Sequence, residues 1–159
     1  MAKSSAAVLT PPADDDAGLA VGDLGDLLGF HLRMAQTAMY RDFAISLGEL
    51  GLTQKQYATL SLIGSNPGVS QIAIANRLGT DRATMMAIVD RLEARDLLTR
   101  QRSKADRRRQ ELYLTATGET VLKTARAAIA NHESKFTDLF SPAELEAFLS
   151  GLRRIHAQG

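Results

Sequence analysis

Cysteine is absent from the chain, which excludes disulfides, thiolate chemistry and a cysteine-based zinc site and is compatible with a reducing cytoplasm. Histidine is scarce. His31, His132 and His156 are scattered, no two of them stand at metal-ligand spacing, and Glu119, Glu133 and Asp138 lack a recognisable acid–base partner. The expectation is therefore no enzyme, no catalytic residue, no metal and no cofactor. A histidine on an otherwise apolar helix face is more often a hydrogen-bonded packing residue than a zinc ligand, and His31 is read that way. No apolar run approaches the roughly 18 residues of a membrane span, so no membrane partner is expected. The opening MAKSSAAVLTPPADDD has an apolar patch too short for a secretory core, then prolines and aspartates. It reads as a disordered tail over residues 1–17, ahead of one domain over 18–159.

What is present is a helical pattern with an apolar share of 45%, enough for a real core. From Leu19 to Leu50, apolar residues such as Leu24, Leu28, Leu32, Met39 and Phe43 recur at steps of three and four, predicting one long helix that Gly51 ends. Thr53 then caps a helix over 54–65, Asn66-Pro67-Gly68 turns the chain, and Ser70 and Asp81 cap two further helices. Thr115 caps a long helix to about Phe140. Ser141, Pro142 and Glu144 start a last one to about His156 in the order cap, first-turn proline, first-turn acid.

The middle of the chain carries the functional signal. Ala75 is the small residue needed where two helices cross, Gly79 the turn glycine, and Ile74, Leu78, Met85 and Ile88 the apolar positions of a helix-turn-helix. The same pattern also describes two packed helices of any bundle. The residues after the second helix separate the two, because Leu97 and Leu98 open a strand that Thr99–Arg102 carries outward. Ser103–Arg108 forms a polar tip, and Glu111–Leu114 returns with the alternation of a half-buried strand. That hairpin is a wing. Its Arg102, Lys104, Arg107, Arg108 and Arg109 suit phosphates or the narrow, negative minor groove. Although the net charge is only +1, residues 77–109 hold ten basic and five acidic side chains, leaving nine basic and thirteen acidic elsewhere. A basic middle between acidic flanks fits a DNA face carried on a scaffold that does not touch the polyanion.

The runs LTQKQYATLSLI and IAIANRLGTDRATMMAIVDRLEARDLLTRQRSKADRRRQELYLTATG resemble the winged helix-turn-helix of the MarR family of bacterial transcription regulators, over about residues 20–156. The resemblance implies a mainly α fold with a small β wing. In it a DNA-binding lobe, about 52–115, is flanked by N- and C-terminal dimerisation helices, about 19–50 and 116–156. It implies a cytoplasmic homodimer, usually a repressor, that leaves a pseudo-palindromic operator in double-stranded DNA when a small aromatic or phenolic effector binds. Asp106 and Arg108 match the family's Asp-x-Arg wing tip, the arginine for the minor groove and the aspartate to hold the loop. In the recognition helix Arg82, Ala83, Thr84, Met86 and Ala87 are free to face DNA, with Arg82 suited to guanine. Met86 and Ala87 stand where many relatives carry a polar residue and an arginine, which points to contact with thymine methyls instead. Thr53 and Ser70, at helix N-termini, are candidates to offer main-chain N–H groups to phosphate. His31, Arg33, Met34, Tyr40 and Arg41 are the candidate lining of an effector pocket for an aromatic acid or its coenzyme A thioester. Without cysteine, thiol-based peroxide sensing is excluded. A second reading stays open, a ligand-independent architectural DNA-binding or protein-interaction module.

Overall fold

The helix starts that the sequence marks are made by the side chains expected there. The computed structural model describes residues 19–103 and 110–158, so the tail over 1–17 and the wing-tip residues Lys104, Asp106, Arg107, Arg108 and Arg109 lie outside the described residues. The elements are α1 (Leu28–Ser46), α2 (Gln54–Ser65), α3 (Gln71–Arg77), α4 (Arg82–Ala94), β1 (Leu98–Arg102), β2 (Gln110–Leu114), α5 (Ala116–Thr137) and α6 (Pro142–His156). Main-chain N–H groups of Gln56, Ala73, Thr84, Gly118 and Glu144 donate to the side chains of Thr53, Ser70, Asp81, Thr115 and Ser141. Each satisfies a donor that the helix itself leaves unpaired, a contribution of about 1 kcal/mol. At α2 and α6 the arrangement is reciprocal, with Gln56 and Glu144 accepting from the N–H of Thr53 and Ser141 at 2.9 Å.

The chain divides into two compact units between residues 35 and 36. In the first, the expected long helix is broken. Gly22, at φ +56°, opens a 3₁₀ turn over Gly22–Asp26, and Leu27 is extended before α1 begins. The His31 Nε2–H donates to the Gly25 carbonyl at 2.6 Å, tying this turn to α1. Apolar spacing runs on through the segment, but glycines at 22 and 25 each cost a helix about 1 kcal/mol relative to alanine.

In the second unit α1 stops at Ser46, a 3₁₀ turn covers Gly48–Leu50, and Gly51 takes φ +57°. The freed carbonyls of Leu50 and Gly51 each accept from Arg95 at 2.8 Å. The helices α3 and α4 end alike. Gly79 and Asp96 are left-handed at φ +57° and +56°; the next N–H, of Thr80 or Leu97, donates to Ala75 or Leu92 five residues back. β1 starts at Leu98, one residue later than expected, and pairs antiparallel with β2, Leu98 opposite Leu114 and Arg102 opposite Gln110. A bridge the sequence did not disclose joins Val69 to Leu112. The core lies where α2, α3, α4 and the sheet meet, with Leu60, Ile63, Ile74, Met85, Leu92 and Leu112 fully buried.

Two features fasten α5 to this core. A Cβ on Gly118 would lie 1.8 Å from the Leu97 carbonyl oxygen, so only glycine permits α5 to start there. Further along, His132 is buried between Phe43 and Phe136, ring centroids 5.7 and 5.2 Å away, and its Nδ1–H donates to Asp42 at 2.6 Å. Lys135 donates to the other Asp42 oxygen at 2.6 Å. These two bonds, Lys135 first, hold the Asp42 carboxyl at about 2, below its ordinary 3.8. α5 ends at Thr137 rather than near Phe140, because Ser141 is extended to cap α6. α6 buries none of its residues, although Phe148, Leu149 and Ile155 recur along it.

Gly79→Ala, where no atom stands within 4 Å of the new Cβ, costs only the left-handed backbone, roughly 1–2 kcal/mol. Gly118→Ala costs at least about 3 kcal/mol, since backbone must move. Urea unfolding of both variants checks the order, and equal costs would show that the α5 start yields freely. Because the folded-state pKa of Asp42 lies below the unfolded one, its stabilisation is complete above the ordinary value and is lost as pH falls toward 2. Thermal melts should show Asp42→Asn less stable than the parent at pH 6, with the gap narrowing below pH 4.

Candidate nucleic-acid interface

α4 has two faces because its apolar residues follow the helical period. Met85, Ile88, Val89 and Leu92 are buried, and Arg82, Ala83, Thr84, Met86 and Ala87 are all exposed. The outward set is thus held on a helix whose other side cannot rotate without opening the core. Asp81 is committed to the helix start. Its carboxylate accepts from the Thr84 main chain at 2.8 Å, and hydrogen bonds from Thr84, side chain and then main chain, keep its pKa below the usual carboxylate value.

Ahead of α4, helix α3 brings a second set of side chains to the same surface. Gln71, Ile72 and Ala75 of α3 and Arg82, Ala83 and Met86 of α4 line an open cleft of about 210 Å³. Ile72 had no assigned role in the sequence. Its signal was there, since Ile74, Ala75 and Leu78 fix the inward side of α3 and leave position 72 well round from it.

Arg102 is exposed at the outer end of β1. The expected contacts of Lys104, Asp106, Arg107, Arg108 and Arg109 lie outside the described residues. Two arginines counted in the basic middle are used inside the fold. Arg100 is held by Asp90 and Glu93, and Arg95 by the Leu50 and Gly51 carbonyls. Thr53 is exposed and Ser70 half-buried, and each hydroxyl accepts from its own helix.

Of the expected effector-pocket residues, His31, Arg33 and Met34 fall in the first unit, where all three are exposed and His31 is engaged by Gly25. Tyr40 and Arg41 fall in the second. Tyr40 lines a mainly apolar cavity of about 180 Å³ with Phe43, Leu47 and Leu52, and Arg41 is exposed. Among the described residues no group of three or more histidine, aspartate or glutamate side chains is placed to hold a metal ion, and no helix is long and apolar enough to cross a membrane.

A family model described as MarR family matches residues 50–109. A protein of Thauera aromatica, assigned as a transcriptional regulatory protein for the hcr operon, is 36% identical over 149 residues, covering 92% of this chain and 90% of the relative. The transcriptional repressor CouR bound to a 23-mer DNA duplex superposes with a TM-score of 0.82 at 38% identity, over 87% of this chain and 98% of that one. CouR bound to p-coumaroyl-CoA gives 0.79 at 36%, over 87% and 97%.

Proposed function

We propose, for a chain that belongs to the MarR family and is a transcriptional regulator of that type, a cytoplasmic homodimeric repressor released from a pseudo-palindromic operator by a small aromatic ligand. The observation that carries the reading is α4, which turns Arg82, Ala83, Thr84, Met86 and Ala87 outward from a locked core beside a two-stranded wing. Such a helix enters the major groove while the wing reaches the flanking backbone or minor groove. In this reading Arg82 reads a guanine edge and Arg108 enters the minor groove, with Asp106 holding its loop. Arg102, Lys104, Arg107 and Arg109 meet phosphates, as do the helix starts at Thr53 and Ser70.

Dimerisation is supported by α6, whose Phe148, Leu149 and Ile155 stay between 37% and 45% exposed, and by Leu24, Leu27 and Leu28, each at least half exposed. Exposed apolar side chains grouped in this way mark an interaction surface. A two-fold assembly sets two recognition helices one or more DNA turns apart, roughly 34 Å per turn.

The effector is an aromatic acid or its coenzyme A thioester. Tyr40, which lines a cavity of the second unit, and Arg41 are its proposed contacts there, Tyr40 for the ring and Arg41 for an anionic group. The likeness to CouR, solved with p-coumaroyl-CoA, supports this chemistry.

A mobility shift on the DNA upstream of its own gene, with unrelated DNA as competitor, should show a specific complex that one member of a panel of aromatic acids and their thioesters dissolves. Binding equal to the competitor would favour an architectural module instead. Arg108→Ala should weaken the operator complex roughly tenfold, and unchanged affinity would remove the minor-groove assignment. The Phe148→Glu/Ile155→Glu variant should sediment as a folded monomer, and an unaltered dimer would move the interface elsewhere.

A further inference from the structure

Ile72 and Met86 are large apolar side chains, 51% and 53% exposed, on one surface. Single exposed apolar residues are ordinary, but these two come from different helices and converge on the walls of the cleft between α3 and α4. Ala75 and Ala83 complete its apolar lining and are small enough for another surface to come close. The Arg82 side chain borders the cleft. Among the lining residues none is acidic, and Asp81, which precedes Arg82 in the chain, is bound into the helix start with its carboxylate accepting from the Thr84 N–H. An apolar hollow with a cation at its edge fits a partner that offers an apolar group within a polyanion. In the major groove of unmodified DNA only thymine offers one, the C5-methyl.

We infer that this cleft reads thymine methyls, with Ile72 of α3 acting beside Met86 of α4 as a specificity-determining residue. The inference rests on the regulator reading and adds to it the base chemistry of the operator. Each half-site carries thymine where the cleft meets the groove, and Gln71 and Arg82 flank that methyl with hydrogen-bond donors for the adjoining base edge or phosphate.

Binding sites selected from randomised duplexes with the full-length protein supply the operator, and deoxyuridine then replaces each thymine in turn, removing the methyl and nothing else. Measured by anisotropy at fixed salt, uracil at one or two positions per half-site should weaken binding about fourfold per methyl. Ile72→Ala and Met86→Ala should weaken the thymine duplex and abolish the discrimination at that position, while melting as the parent does because both side chains are exposed. Uracil and thymine bound equally at every position, with sequence preference intact, would overturn this inference and leave the regulator. Variants that weaken both duplexes by the same factor would likewise overturn it, whereas selection that yields no preferred sequence would remove the regulator reading and this one together.

Discussion

The first turn of α5 lies against the backbone of Leu97 with no room for a side chain, and this contact fixes the relation between α4 and the long helix behind it. Leu97 N–H donates to Leu92 near the end of α4, the Leu97 carbonyl accepts from Thr115, and Gly118 N–H donates to the Thr115 hydroxyl. Asp96, left-handed at the end of α4, accepts from Thr115 on its carbonyl and from Thr117 on its carboxylate. The end of α4, the root of the wing and the start of α5 are thus one hydrogen-bonded knot. Packed interiors transmit displacement with little loss. A shift of α5 at this point carries Leu97, and with it β1 and the last turn of α4.

How much of this was legible depends on whether each feature is local. The caps Thr53, Ser70, Asp81, Thr115 and Ser141 and the turn glycine Gly79 satisfy donors or backbone angles within a few residues, and a reader of the sequence finds them at their places. The break before α1 is signalled by Gly22 and Gly25, which loosen a helix start, whereas the break after Ser46 was hidden, since apolar spacing does not record whether a carbonyl is accepted three or four residues on. Long-range partners were hidden for a different reason. Arg95 reads as surface charge, yet its acceptors are the carbonyls of Leu50 and Gly51. The glycine of LYLTATG stands in plain view, but its cause is a carbonyl 21 residues earlier. Asp96 shows the converse, a left-handed position without glycine, whose carboxylate accepts from Thr117.

The candidate interface was legible in outline and incomplete in detail. The exposed set on α4 comes from subtracting its core residues, which periodicity identifies. Ile72 does not follow from the period of α4 because it belongs to α3, and only the cleft that the two helices share brings it beside Met86. A surface that combines Arg82 with Ile72, Ala83 and Met86 has both electrostatic attraction and apolar contact available to it, and only the second of these distinguishes one base from another without a hydrogen bond.

The internal use of Arg95 and Arg100 has a thermodynamic corollary. Cations that bind phosphate displace small ions condensed on the duplex, and the number displaced sets how steeply affinity falls as salt rises. Arginines whose forks are already filled by carbonyls or carboxylates of their own fold contribute little to that number. Of the ten basic residues between positions 77 and 109, these two therefore strengthen the protein without strengthening its attraction to arbitrary DNA. On the proposed regulator reading, an arginine-rich middle engaged in this way gives a shallower ion-release term than composition suggests and leaves more of the discrimination among sites to contacts at the base edges.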